Sequence, residues 1–450
     1  MHDLTKGSPL KVILVFAIPI LLGSLLQQFY SLADARIVGM YLGDEALESV
    51  GATTSLTNML TSFLMGMTNG FTMIIARHYG AGDNEGLKRK VASSFTIGIT
   101  FSIVISALSI IFLKQILGIM KTPEDLMEGA GEYFRIIMMG LIFSSLYNVC
   151  AGVLRSVGDS MATLIFLLIS TIANVGLDLL FVGPALNMGV RGAAIATIIT
   201  QGLSFALSIA YMLRRYELLH FPLRYLRFGF AQANDLLSTG LSMGFMLTLI
   251  NLGDVFLQSA INSLKDNAYI AAQFVARKIT GIYMLPFGVF GAAMGTYVGQ
   301  NYGAGEYDRI RKGFFQTMLI VWGWCVLVVI SAYTIAPRLI RLISATNDDS
   351  IIENAAKYLR INTILYFVCG FICVSRNALQ ALGHSIMPVV SSMCELACKV
   401  FLATAFTPML GYTAIIYAEP TAWIIMIIPL LIASIRSPLF KGNKYSIKLR

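Results

Sequence analysis

The pentapeptide YGAGD at residues 79–83 returns as YGAGE at residues 302–306, an offset of 223 positions. A second string repeats in nearly the same register: GVLRSVGDS at 152–160 lines up with NALQALGHS at 377–385, an offset of 225. Two separate matches whose offsets almost coincide make the chain one unit written twice.

Composition says what the unit is made of. Of 450 residues, 56% are hydrophobic and only 13% charged, far more apolar surface than one soluble core can hide. Uninterrupted apolar runs of roughly 20 residues recur, the length a helix needs to cross ~30 Å of hydrocarbon, whereas a membrane barrel shows alternating ten-residue segments. The sequence therefore reads as an all-α integral membrane protein. Gly, Pro and charge punctuation delimit twelve spans, near 11–34, 47–76, 91–113, 131–154, 161–183, 190–213, 236–262, 268–299, 314–340, 357–381, 386–407 and 412–435. Six spans per copy means that both copies enter and leave on one side, so they form two six-helix lobes related by a parallel repeat, an architecture suited to alternating access.

The domain expectation follows: an N-terminal lobe over 1–213, a linker over 214–235, a C-terminal lobe over 236–435 and a basic tail over 436–450. The linker carries Arg214, Arg215, Arg224 and Arg227 among Tyr, Phe and Leu, and reads as an amphipathic segment on an anionic leaflet. The net charge of +9 does not call for nucleic acid. The basic residues gather in short loops, at Lys88-Arg89-Lys90, Arg214-Arg215, Arg309-Arg311-Lys312 and Lys441 to Arg450, which places both termini in the cytoplasm and the protein in the cell inner (plasma) membrane. The opening MHDLTKGSPLK runs straight into a full-length span, so the first helix is expected to direct insertion. No GxxxxGK[ST] loop is present, which disfavours ATP hydrolysis, and no enzymatic constellation or cofactor is expected. The cysteines lie in apolar segments and behave as small hydrophobes. The i, i+4 pairs Cys369/Cys373 and Cys394/Cys398 lack a histidine or carboxylate to complete a metal site.

Ionisable residues inside spans carry the functional signal. Asp34 closes the apolar run FAIPILLGSLLQQFYSLAD and faces either a wet cavity or the headgroup layer as a cap. Asn174 and Asp178 are i, i+4 on the fifth span and share a face; Asn148 sits late in the fourth. If these helices pack beside the first, Asp34, Asn148, Asn174 and Asp178 make a cluster of two carboxylates and two amides. Carboxylates brought together away from water do not both ionise freely, so such a cluster takes up H+, and its oxygens equally suit Na+. The structural alternative is that Asp178 bonds a neighbouring backbone and stiffens the lobe.

In the second half, Asp254 is either a further coupling acid or the partner of Arg277 or Lys278. Glu395 and Lys399 have the acid-then-base i, i+4 order of an intrahelical pair. Glu419 precedes Pro420, where a kink would free carbonyls and open a wet pocket. Arg376 also falls inside a span. The candidate substrate contacts are Gln27, Tyr30, Tyr147, Asp254, Gln258, Gln273, Tyr283 and Glu419, the tyrosines offering π faces to a cation. Abundant methionines suit a pocket that accepts many shapes, although most are expected to be packing.

The pattern Pro19…Gln28-x-Tyr30-x3-Asp34-x4-Gly39, the helix end Tyr79-Gly80-Ala81-Gly82, the turn Leu154-Arg155-x2-Gly158-Asp159 and the repeat Gln300-Asn301-Tyr302-Gly303-Ala304-Gly305 together resemble the multidrug and toxic compound extrusion (MATE) family of secondary transporters across nearly the whole chain. The pairing of Asp34 with Asn174-x3-Asp178 is most similar to prokaryotic members of the DNA-damage-inducible type. The resemblance implies twelve helices in two lobes, V-shaped about a central cavity, a monomer exporting bulky hydrophobic organic cations or drugs in exchange for H+ or Na+, and a role for the Asp34 cluster. The wider superfamily also contains flippases for lipid-linked substrates, which keeps an amphiphile flippase as the alternative.

Overall fold

A computed structural model of the chain describes residues 3–119, 124–227, 230, 233–344 and 348–444. Residues 445–450 of the expected basic tail, and 228–229 and 231–232 of the linker, lie outside the described residues. Among the described residues the regular structure is helical, with no strand. Among the described residues, eleven helices are long and apolar enough to cross a membrane: α1 (Pro9–Gly43), α2 (Thr53–Gly80), α3 (Asn84–Ile111), α4 (Leu126–Ser156), α5 (Ser160–Phe181), α6 (Val190–Arg215), α7 (Asn234–Ser263), α8 (Asn267–Gly303), α9 (Tyr307–Thr334), α11 (Ile386–Leu410) and α12 (Tyr412–Arg436). The twelfth, α10, is a pair, Asp349–Ile364 and Tyr366–Ala381, bent by 55° at Leu365. The protein is a multi-pass membrane protein of two-lobe, twelve-helix type.

Two boundaries differ from the expectation for physical reasons. The first helix continues past residue 34, because ARIVGMYL has no proline and its Gly39 is not among the glycines in left-handed backbone. It breaks only at Gly43, whose backbone adopts φ 80° and ψ −172°, a region open to glycine. Asp34 is therefore inside a helix and not its cap. The eleventh span is interrupted by a π turn at Leu402–Phe406, just before Pro408, which has no N–H to bond the carbonyl four residues back.

The duplicated strings fold into duplicated turns. Gly82 and Gly305 have φ of 67° and 75°, and Gly158 and Gly383 have 87° and 89°. After each glycine the chain closes the same six-residue bond: Asp83 N–H donates to the His78 carbonyl, Glu306 to Asn301, Asp159 to Leu154 and His384 to Leu379, at 2.8–3.1 Å. This is the Schellman end, which satisfies otherwise orphaned helix carbonyls and requires a left-handed residue. The copies then diverge. Asp83 accepts from Gly86 N–H at 2.8 Å and pairs with His78 at 2.9 Å, contacts that hold its carboxyl below the usual carboxylate range. Glu306 makes no such cap.

The chain divides into two compact units, Met1–Asp3 with Val15–Gly244 and Leu4–Leu14 with Phe245–Arg450. In the first unit the opening turns of α7 pack against α2 through glycines: a Cβ on Gly70 would stand 2.7 Å from Gly240 Cα, and one on Gly66 2.6 Å from the Met243 carbonyl. Small residues permit this backbone approach. Lys90 pairs with Asp235 at 2.6 Å on the same unit. Residues 214–227 are held there too, with Tyr216 and Leu219 in the core and Tyr225 Oη donating to Glu85 at 2.8 Å. In the second unit the N-terminal segment is fastened to the end of α8: Leu4 N–H donates to Gln300 Oε1 at 3.0 Å, and Arg309 Nη1 donates to the Gly7 carbonyl at 2.8 Å.

Gly158→Val and Gly383→Val should each lower stability by about 1–2 kcal/mol, because a β-branched residue is forced into left-handed backbone. Thermal unfolding of the purified variants should show similar decreases for both, reflecting their matching geometry.

Candidate functional site

The first unit brings Asp34 on α1 to Asp178 on α5, with Asn174 one turn before Asp178 on the same buried face. The Asp34 and Asp178 carboxyls lie within hydrogen-bonding reach of each other. Asp178 is 0% and Asn174 1% exposed, because their shared helical face turns inward. The surrounding hydroxyls point their protons elsewhere. Thr197 Oγ1 donates to the Ala193 carbonyl at 3.0 Å, so Tyr30 Oη, 3.2 Å from Thr197 Oγ1, serves as the donor in that contact. Thr200 Oγ1 donates to the carbonyls of Ala196 and Thr197 and accepts from Asn174 Nδ2 at 3.5 Å.

The consequence is a set of acceptors without donors. Asp34 Oδ1, both Asp178 carboxyl oxygens and Asn174 Oδ1 are buried, and none of the described residues donates a hydrogen bond to them. Leaving one such group unsatisfied costs about 1–3 kcal/mol, and two facing carboxylates add repulsion. Positive charge answers both demands. A proton between the carboxyls supplies it, and so does a small oxygen-loving cation such as Na+, for which four oxygens are a suitable partial shell.

Asn148 is half-buried on α4 and makes no hydrogen bond to either carboxyl. Tyr147 is buried and lies within the electrostatic reach of Arg155, whose guanidinium donates to Asn69 Oδ1 at 3.3 Å. Gln27 is exposed. Tyr133, which sequence reasoning missed, lies close enough to Tyr30, Asp34 and Asp178 to interact with them electrostatically. Thr197 and Thr200 were missed as well, although their i, i+3 spacing, continued by Ser204 and Ser208 along one face of the helix, was a readable signal.

The second unit is different. Asp254 meets Arg277 at 2.6 Å and Lys399 at 3.0 Å. Lys399 also meets Glu395 at 3.0 Å, and Glu395 lies 3.6 Å from Arg376. Arg277 reaches Glu419 at 3.3 Å, which accepts from Tyr358 Oη at 2.6 Å. Three carboxylates and three cations thus form one balanced network. Lys278 lies instead over the Phe274 ring at 5.4 Å. Gly253 makes room for the stem of Lys399, since a Cβ there would stand 2.9 Å from its Cδ. The other candidates are engaged in packing pairs: Gln258 donates to Asn262 at 3.1 Å, Gln273 accepts from Tyr412 at 2.9 Å, and Tyr283 Oη is 2.7 Å from Ser331 Oγ.

A family model described as MatE matches residues 19–180 and again 243–404, one match per repeat. The chain is 26% identical over 415 residues to the probable multidrug resistance protein YpnP of Bacillus subtilis (strain 168), covering 92% of each chain. It is 28% identical over 401 residues to the probable multidrug resistance protein YoeA of the same organism, covering 86% of this chain and 85% of that one. The solved structure described as MATE in the bent conformation matches in fold with a TM-score of 0.89 at 24% identity, covering 97% of each chain.

Within the network, Lys399→Met removes the cation shared by Asp254 and Glu395; Asp254 keeps Arg277, but Glu395 is left with only Arg376 at 3.6 Å, and breaking its buried pair should cost about 3–5 kcal/mol. Thermal unfolding in detergent should show a large decrease, partly restored by adding Glu395→Gln, which removes the under-compensated charge.

Proposed function

The chain belongs to the MatE family of membrane transporters, and we propose that it is a secondary active multidrug exporter that moves bulky organic cations out of the cell in exchange for H+ or Na+. The observation that carries this reading is the donorless set of oxygens on Asp34, Asn174 and Asp178, which calls for a bound cation. The printed descriptions of the Bacillus subtilis relatives as multidrug resistance proteins support the drug-export part.

Exchange follows from charge. With H+ or Na+ in place, the Asp34/Asp178 pair is neutralised and its oxygens satisfied. When the ion leaves towards the cytoplasm, two carboxylates are exposed to each other in an apolar bundle, and an organic cation entering the bundle relieves them. Tyr30 and Tyr133 add ring faces beside the acids, which favour a desolvated cation. The parallel six-helix repeat supplies two bundles whose relative motion alternates access, and binding of the ion or the drug, but not both, makes transport obligatory exchange. The protein acts in the plasma membrane with both termini cytoplasmic, as the positive-inside bias indicates.

The test is efflux of an ethidium-like dye from loaded vesicles, with proton and sodium gradients imposed separately. One gradient should drive efflux, Asp34→Asn and Asp178→Asn should each abolish the gradient dependence, and the double variant should be no worse than either single one, because the two residues act as a unit. Normal gradient-driven efflux by Asp34→Asn at every pH would refute the proposal.

A further inference from the structure

The network in the second unit has a gradient of depth. At its outer end the side chains of Asp254 and Arg277 are 33% and 30% exposed; at its inner end Arg376 is 5% exposed, beside Glu395. Nearly every carboxylate oxygen along the way is engaged: both of Asp254, both of Glu419 and Oε1 of Glu395. The unmet hydrogen-bonding capacity lies on Arg376 and on the Glu395 Oε2 that faces it. Nε and Nη2 of Arg376 are buried and have no hydrogen-bond partner, and the nearest carboxylate oxygen, Glu395 Oε2, is at 3.6 Å from Nη2, beyond hydrogen-bonding range.

Nε–H and the adjacent Nη2–H form the side edge of a guanidinium, two parallel donors whose spacing matches the two oxygens of a carboxylate or phosphate. A buried guanidinium with that edge unfilled is costly unless something occupies it. Because the six charges balance, the network has no net negative charge with which to select cations. The unfilled edge of Arg376 is an oxyanion position.

We propose that Arg376 is an oxyanion site, reached past Asp254 and Arg277, that takes the carboxylate or phosphate of an amphiphile. This rests on the export reading above and narrows its substrate class to amphiphiles that carry an acidic group as well as a cationic or aromatic body. Glu395 is the built-in competitor: its Oε2, 3.6 Å from Arg376 Nη2, is the carboxylate oxygen that an incoming oxyanion must outcompete.

The experiment uses the full-length protein in phosphatidylcholine nanodiscs and two matched dyes, rhodamine 110 with a free carboxylate and its methyl ester rhodamine 123, titrated by fluorescence anisotropy. The wild type should bind the acid more tightly than the ester. Arg376→Gln should raise the acid's Kd by about thirtyfold, the scale of a lost buried charge pair, and bring the acid-to-ester ratio close to one. Glu395→Gln should move the other way and tighten the acid, a sign that a purely structural role does not produce. Equal binding of both dyes by the wild type, binding of neither, equal shifts of both in Arg376→Gln, or weakened acid binding in Glu395→Gln would each overturn the proposal. Adding phosphatidylglycerol separates the sources: an unchanged acid Kd assigns the site to a soluble amphiphile, and a Kd that rises only when Arg376 is present assigns the same oxyanion site to a lipid headgroup. Binding is read without any gradient, so failure here leaves the antiport proposal standing, and dye efflux that ignores both ion gradients fails antiport alone.

Discussion

A charge inside a bilayer must find its counter-charge or its hydrogen bonds within the protein, because lipid supplies neither. That constraint shapes both halves of this chain and resolves differently in each. In the first unit, Asp34 and Asp178 face one another while the nearby threonine hydroxyls spend their protons on helix carbonyls. In the second, three acids and three bases lie within a few ångströms and cancel. Helix ends obey the same rule: four glycines in left-handed backbone close four Schellman ends, at equivalent places in the two copies.

The two copies therefore share a scaffold and not a charge pattern. Matching turns at Gly82 and Gly305, and at Gly158 and Gly383, preserve where helices stop and how the chain re-enters the bundle. The intervening faces are free to vary. One copy keeps a deficit of donors, on which the proposed cation site rests; the other keeps a surplus of donors on Arg376, on which the proposed oxyanion site rests. A duplicated unit can in this way supply two sites of opposite demand without changing its architecture.

The scaffold was largely legible in the sequence because it depends on strong, local signals: apolar runs of membrane length, and glycines that must sit where φ is positive. The Glu395/Lys399 pair was legible for the same reason, since i, i+4 spacing fixes proximity on one helix. Partners joined across helices were harder to read. The choice between Arg277 and Lys278 for Asp254 turned on which of two adjacent side chains faces α7, and the link from Lys399 to Asp254 spans 145 residues. Asp34 looked like a helix end because the apolar run stops there, yet a helix is ended by backbone geometry and not by polarity, and Gly43 provides it. Tyr133 gave no signal because its neighbours Glu132 and Arg135 make that stretch look like a solvated helix start.

The central claim is that the oxygens of Asp34, Asn174 and Asp178 hold a cation that leaves when substrate binds. The most direct measurement is ion release from purified transporter on addition of an organic cation, followed with a pH indicator in weakly buffered solution and, in parallel, with radioactive sodium. The expected result is release of one of the two ions by the wild type and none by Asp178→Asn; release of the same amount from both proteins would contradict the claim.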